Sequence, residues 1–139
     1  MTLEDLVGIP WKVGGRDADG CDCVGLALLA QRELWGREYP FPHRYDPESD
    51  AAMEEPLFRW LHEIARPVAD PAPGRLVVMQ MTVGGHRFLH LGTLLDGAPL
   101  RMLHTYPGHR SQAVRFYGRY LARVRGYFDG EEGERCREP

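Results

Sequence analysis

A cysteine and two histidines are the residues of this 139-residue chain whose types and positions could do covalent chemistry together. Cys23 follows a glycine-rich segment and stands directly after Asp22, where an apolar helical pattern begins. The unpaired amides and the dipole at a helix start lower the pKa of a thiol and favour the thiolate. The same amides can hold an oxyanion. Cys23 is therefore a candidate nucleophile, although a lone cysteine more often only fills apolar space.

The two histidines supply a candidate base and a partner for it. His90 lies within one predicted strand and His104 at the end of the next, so the two rings could sit side by side. Imidazole titrates near neutrality, so His90 could accept the thiol proton and later protonate a leaving amine. His104 would fix the orientation and tautomer of the His90 ring. Each histidine alone is more commonly a half-buried strand residue, but a cysteine at a helix start with two histidines on adjacent predicted strands is a more specific combination.

The first predicted helix positions the cysteine. Asp22 can cap a helix that starts at Cys23 and reaches Trp35, where Gly36 ends it. Apolar residues cover more than one side of this segment, which predicts a central helix. The irregular, proline-containing stretch 37–49 follows, and loops of that length often rim a site.

The second half of the chain changes from helical to strand periodicity. A second helix is predicted near residues 54–65, with Pro56 in its first turn. Three short apolar runs at 75–82, 87–95 and 99–105, separated by hairpin-type glycine turns, predict an antiparallel sheet. A later amphipathic piece at 114–124 would place an arginine every fourth residue on one face if it is helical, and residues 125–128 would add an edge strand. The fold class is therefore α+β, with one domain at 1–128 and a polar, disordered tail at 129–139.

The basic stripe of this amphipathic piece has two interpretations. Arg115, Arg119 and Arg123 most simply form a solvated helix face. The alternative is a surface for an acidic protein or for the anionic cell wall, which charge reversal would test.

Composition narrows the classes of partner. A formal net charge of −3 gives no reason to expect a nucleic-acid partner. No run of eighteen apolar residues predicts a membrane span, and the N-terminus has no export-signal pattern. Cys21 and Cys23 are too close to form an ordinary disulfide, and Cys136 lies in the polar tail. The chain also offers sulfur and nitrogen ligands for zinc, namely Cys21, Cys23, His86, His90 and His104. A zinc site is the minority interpretation of these residues, because their spacing is not that of a zinc knuckle.

The ordered motifs resemble those of the NlpC-type peptidoglycan cysteine peptidases. Their first motif is a Gly-x-Pro-Tyr segment, a Gly-Gly pair and then Asp-Cys-Ser-Gly-Leu. The matching positions here are Gly8, Pro10, Trp11, Gly14, Gly15, Asp22, Cys23, Gly25 and Leu26. Residues 74–77 and 90–93 resemble the second motif, a Gly-Asp-Leu-Val strand followed by His-Val-Gly-Ile. His104 falls where the family often has its third polar residue.

This resemblance implies a papain-like fold, in which the catalytic cysteine begins a central helix packed on an antiparallel sheet. It implies Cys23 as nucleophile, His90 as base and His104 as the orienting residue, with no cofactor and no metal. The implied substrate is a peptidoglycan stem peptide, cut at the bond between D-γ-glutamate and the diamino acid. Trp11, Asp22 and Val24 are the implied substrate-binding residues. Trp11 replaces the family's tyrosine and Val24 its serine.

The branch of the family that this chain most resembles is carried by tailed phages and gene-transfer particles. That resemblance implies synthesis in the bacterial cytoplasm without a signal peptide, a location at the virion tail tip or baseplate, and docking on a tail hub or tip protein. A cytoplasmic peptidase that recycles wall fragments is an alternative. The alternative from another class is a non-catalytic structural component of a phage-like tail tip.

Overall fold

The computed structural model describes residues 1–40 and 50–130, except for the side chains at 50–55, 83 and 86. The helical elements are α1 (Leu3–Leu6), α2 (Cys23–Trp35), α3 (Asp50–Ile64) and a 3-10 turn (Leu121–Arg123). The strands are β1 (Arg16–Asp17), β2 (Gly20–Cys21), β3 (Arg66–Val68), β4 (Leu76–Val83), β5 (His86–Leu95), β6 (Arg101–His104), β7 (Gln112–Arg115) and β8 (Val124–Asp129).

One antiparallel sheet carries the fold, and both long helices pack on it. Its six strands lie in the order β3-β8-β4-β5-β6-β7, while β1 and β2 form a separate hairpin. Both α2 and α3 contact β5, and their apolar side chains share a buried cluster with Leu89 and Leu91 of that strand. The predicted α+β class with a helix on an antiparallel sheet is confirmed.

The boundaries of α2 are those that the sequence predicts. Asp22 is extended and accepts a hydrogen bond from the Gly25 amide at 2.8 Å, which is N-cap geometry. Gly36 ends the helix in the left-handed conformation, with φ of 67°. Most of α2 is buried, so it is a central helix.

The glycine-rich segment before α2 packs directly on the start of this helix. The Gly14 amide donates to Asp22 at 2.7 Å, so the capping carboxylate also holds the loop. A side chain at Gly25 would collide with the carbonyl oxygen of Gly15, and one at Gly15 would collide with the carbonyl of Gly20. The glycines at these positions therefore allow the close approach of backbone that fixes where Cys23 begins.

Replacing Asp22 with alanine is expected to lower the free energy of unfolding by about 2–3 kcal/mol. The helix loses its cap and two amides lose an acceptor in a buried setting. Urea unfolding followed by circular dichroism measures the change. Asp19→Ala is the matched control, because Asp19 is exposed, and it should change stability by no more than about 0.5 kcal/mol. Equal effects of the two substitutions would contradict the capping role.

The second helix differs from its predicted start. It begins at Asp50, so Pro56 lies inside the helix and not in its first turn as predicted. The helix ends at Ile64, within one residue of the prediction. Most of the preceding stretch that was predicted to rim the site, residues 41–49, lies outside the described residues.

The amphipathic piece at 114–124 is not helical, so the condition for a basic stripe on one face is not met. Strand β7 ends at Arg115, Gly118 adopts a φ of 55°, and only a 3-10 turn follows. Phe116 and Tyr120 are the buried side chains, whereas Tyr117 and Leu121 are 54% and 48% exposed. The three arginines therefore do not form a helical stripe.

Strand β8 is not the edge strand that the sequence predicted. It pairs with β3 on one side and β4 on the other. The edge position belongs to β3. Asp129, the predicted first residue of the tail, is the last residue of β8, and Gly130 accepts a hydrogen bond from the Tyr39 hydroxyl at 2.7 Å. Residues 131–139, including Cys136, lie outside the described residues.

No helix among the described residues is both long enough and apolar enough to cross a membrane.

Candidate active site

The start of α2 meets β5 at the part of that strand where β6 does not pair. Pairing between β5 and β6 runs from Thr93 with Leu103 to Leu95 with Arg101. The backbone amide of Leu91, two residues before this ladder, interacts with the Cys23 thiol and lowers its pKa. Leu91 directly follows His90, so the chain brings the predicted nucleophile to the strand that carries the predicted base.

The Cys23 thiol is buried and protonated at neutral pH. Its residue is 1% exposed, and burial raises the pKa of the thiol to about 12, with the negative charge of Asp22 adding to the effect. The amides of Leu91, Val24 and Cys23 oppose this shift. The lowered pKa expected from the helix start is therefore wrong for the resting thiol, because the loss of hydration outweighs the amides.

The two predicted histidines are in direct contact. Nε2 of His90 and Nδ1 of His104 lie 2.8 Å apart and share a hydrogen bond, in which one ring donates its N–H. The rings meet edge to face, with centroids 5.0 Å apart. Nδ1 of His90 is buried without a hydrogen-bond partner among the described residues. That nitrogen is therefore free to take a proton, although it makes no hydrogen bond to the Cys23 sulfur in this resting structure.

Both histidines are held neutral. Burial lowers the pKa of His90 well below its ordinary value, and the neighbouring His104 adds to the shift. Burial lowers the pKa of His104 to about 4, assisted by electrostatic interactions with Arg119 and His109. A neutral His104 has a lone pair with which to accept an N–H from His90 when His90 gains a proton.

Acid is expected to destabilise the wild-type protein more than a His104→Gln variant. The pKa of His104 is lower in the folded than in the unfolded chain, so the unfolded chain takes up the proton first and stability falls as the pH drops from about 6.5 to 4. The stability advantage of wild type over the variant should shrink by up to about 3 kcal/mol across that range. Urea titrations of both proteins at pH 7 and pH 4 measure it. A difference that does not change with pH would contradict a lowered pKa.

The three predicted substrate-binding residues occupy different environments. Trp11 is partly buried against the cluster that contains Cys23, and its indole N–H has no hydrogen-bond partner among the described residues. The Asp22 carboxylate is buried and binds the two backbone amides of the glycine loop and α2. Val24 is buried in the apolar core. Their contacts with substrate stay predictions.

The loop between β6 and β7 brings residues to the site that the sequence did not predict. The Tyr106 ring lies 6.2 Å from that of His90 and 5.7 Å from that of His104. His109 stacks on Tyr106 with centroids 4.0 Å apart. The sequence feature that could have indicated these residues is the Tyr-Pro-Gly-His-Arg turn shortly after His104. Among the residues described, no three histidine, cysteine or acidic side chains are placed to hold a metal ion.

Two solved structures of NlpC/p60 proteins share this architecture. The NlpC/p60 domain of the peptidoglycan hydrolase SagA matches with a TM-score of 0.54 at 17% sequence identity, over 91% of this chain and 91% of that one. An NlpC/p60 family protein from Bacillus cereus matches with a TM-score of 0.57 at 14% identity. That match covers 94% of this chain but 40% of the Bacillus protein. No protein-family model matches the sequence, and no curated protein matches it significantly.

These matches establish the fold. The chain has the papain-like fold of NlpC/p60 domains, as the motifs predicted.

Proposed function

We propose that this protein is a cysteine peptidase that hydrolyses amide bonds in peptidoglycan stem peptides. The observation that carries the proposal is the hydrogen-bonded pair of His90 and His104 on strands beside Cys23, at the start of the central helix of an NlpC/p60 fold. The match to the domain of a peptidoglycan hydrolase supports the substrate class. The finer proposal is that the bond cut joins D-γ-glutamate to the diamino acid.

In the proposed reaction His90 removes the proton from Cys23 as substrate arrives. The thiolate attacks the amide carbonyl, and the amides at the start of α2 stabilise the resulting oxyanion, a contribution worth about 3 kcal/mol per donor in other acyl-transfer enzymes. The protonated His90 donates its Nε2 hydrogen to Nδ1 of neutral His104, then gives its Nδ1 proton to the leaving amine. His90 next activates water, which releases the acid product and restores the thiol.

The proposed nucleophile and base are buried when no substrate is bound. Cys23 and His90 are both almost fully buried, so a substrate reaches the sulfur only if a neighbouring side chain moves. The same closure excludes water and strengthens electrostatic interactions within the site. Hydrogen bonds between catalytic groups commonly tighten only when substrate is bound, which fits the absence of a bond between the thiol and His90.

The second candidate function is a non-catalytic structural component of a phage-like tail tip. The observation that favours it is the sealed, protonated thiol. Trp11 and Val24, which differ from the tyrosine and serine of the resembled motif, add to it.

Mass spectrometry of purified sacculi separates the two functions. Wild-type protein should release peptide fragments that Cys23→Ala does not, and the fragment masses identify the bond. If neither protein releases fragments, the peptidase proposal fails and the structural role is favoured.

We also propose, on the sequence resemblance, that a phage-like particle carries the protein at its tail tip, bound to a hub or tip protein. An epitope-tagged copy should then copurify with particles on a density gradient and label the tail end in immunoelectron microscopy. Tag confined to the cytoplasmic fraction would favour the recycling peptidase.

A further inference from the structure

A groove beside the two histidines has one aromatic wall and one basic wall. It is lined by Pro10, Trp11, Gly108, His109 and Arg110. His109 stacks on Tyr106, whose ring in turn lies against both His90 and His104. Trp11 packs against the cluster that contains Cys23. The groove is therefore linked to the histidine pair through His109 and Tyr106, and to the buried cluster that includes Cys23 through Trp11.

The basic wall is held in place by long-range backbone contacts. Arg110 forms a β-bridge with Pro10, and its guanidinium donates to the carbonyl oxygen of Gly8 at 2.8 Å. The next residue, Ser111, donates from its amide to Ile9 and from its hydroxyl to Leu6. The loop is thus fixed to the same segment that carries Trp11, which pre-organises the two walls relative to each other.

Neither the Arg110 guanidinium nor the Trp11 indole N–H is paired with an anion among the described residues. Arg110 is exposed, and no carboxylate among the described residues lies within ion-pair distance of it. The Trp11 indole N–H is buried without a hydrogen-bond acceptor in the described part of the chain. The chain as a whole carries a net charge of −3, so this basic wall is a local feature.

We propose that the groove binds the α-carboxylate of the substrate's glutamyl residue and selects stem peptides in which that group is free. The inference rests on the proposed function. In a γ-linked glutamate the side-chain carboxyl forms the scissile amide, so the α-carboxyl remains as an anion unless it is amidated. A guanidinium binds a carboxylate through parallel hydrogen bonds, whereas a neutral carboxamide presents one acceptor and a competing donor.

The test compares two synthetic tetrapeptides, L-Ala-γ-D-Glu-diamino acid-D-Ala with a free α-carboxylate and with an α-carboxamide. Wild type should cleave the free acid with a kcat/KM at least about tenfold higher. Arg110→Gln should lose this preference, because the acid then loses its charged partner, and Arg110→Lys should keep part of it, since a lysine retains charge without the fork. Arg123→Gln, which removes an exposed arginine outside the groove, should keep the wild-type preference.

Peptide binding to the Cys23→Ala variant tests the inference independently of whether the protein is a peptidase. Calorimetric titration with the same peptides needs no hydrolysis. Tighter binding of the acid that disappears in Cys23→Ala/Arg110→Gln supports the inference even if no peptide is ever cleaved. Equal affinity for acid and carboxamide, or a preference that survives loss of Arg110, overturns it whether or not the protein is a peptidase.

Discussion

Cys23→Ser is expected to lower kcat/KM for stem-peptide hydrolysis by at least about a thousandfold. The substitution changes one atom in a buried position, so the fold should persist. A hydroxyl is a far weaker nucleophile than a thiol and ionises at a much higher pH. His90, whose pKa is already held low by burial, is too weak a base to compensate. Release of peptide fragments measured by liquid chromatography gives the rate, and circular dichroism checks the fold.

Cys21→Ser is the matched control for this prediction. Cys21 is also buried, and its thiol donates to the carbonyl oxygen of Asp17 at 3.1 Å, a bond that a serine hydroxyl can keep. Hydrolysis should stay within about threefold of wild type, because this residue takes no part in the proposed mechanism. A Cys23→Ser protein as active as wild type, or equal losses in both variants, would contradict the assignment of the nucleophile.

The elements that the sequence predicted well are those with local causes. The helix α2 has its cap, its apolar pattern and its terminating glycine within one continuous segment, from Asp22 to Gly36. The hairpin between β4 and β5 follows in the same way from Gly84 and Gly85, both of which have positive φ. Such features need no information from distant residues.

The elements that the sequence did not predict depend on contacts between residues that are far apart in the chain. Residues 114–124 show a four-residue spacing that suits a helix, but Phe116 and Tyr120 are buried against the sheet face that Met102 and Leu94 also line. Strand β8 is internal because β3 pairs on its far side. Neither fact can be inferred from periodicity alone.

The same distinction between local causes and distant contacts applies to the candidate site. Contact between His90 and His104 followed from their positions on neighbouring strands. The raised pKa of Cys23 did not, since it arises from complete burial by residues far apart in the chain. The groove walled by Trp11 and Arg110 depends on the β-bridge between Pro10 and Arg110, two residues that are far apart in the sequence.

His90→Gln is expected to lower kcat/KM by at least about a thousandfold, since general acid–base catalysis and activation of the nucleophile both depend on this ring. Glutamine fills a similar volume, and its amide can still hydrogen bond to Nδ1 of His104. It cannot take a proton from a thiol whose pKa is about 12. Single-turnover measurements with the free-acid tetrapeptide give the rate of the chemical step.

The pH profile separates a base from a residue that only supports the fold. Residual activity of His90→Gln should rise steadily with pH, because solvent hydroxide must then ionise Cys23, whereas wild type should reach a plateau near neutral pH. His62→Gln, at an exposed histidine of α3, serves as the matched control and should keep the wild-type profile. A His90→Gln protein with a low rate but an unchanged profile would point to a structural role.

A double variant tests whether the two residues act as one unit. If His90 serves only to move the proton of Cys23 and to protonate the leaving amine, then Cys23→Ser/His90→Gln should be no slower than the slower single variant by more than about threefold, since groups that act together lose their effects together. Independent contributions would instead multiply, giving a loss near the product of the two single losses. The buried contact between the Leu91 amide and the Cys23 sulfur places the two residues in one site, so the non-additive result is the one expected.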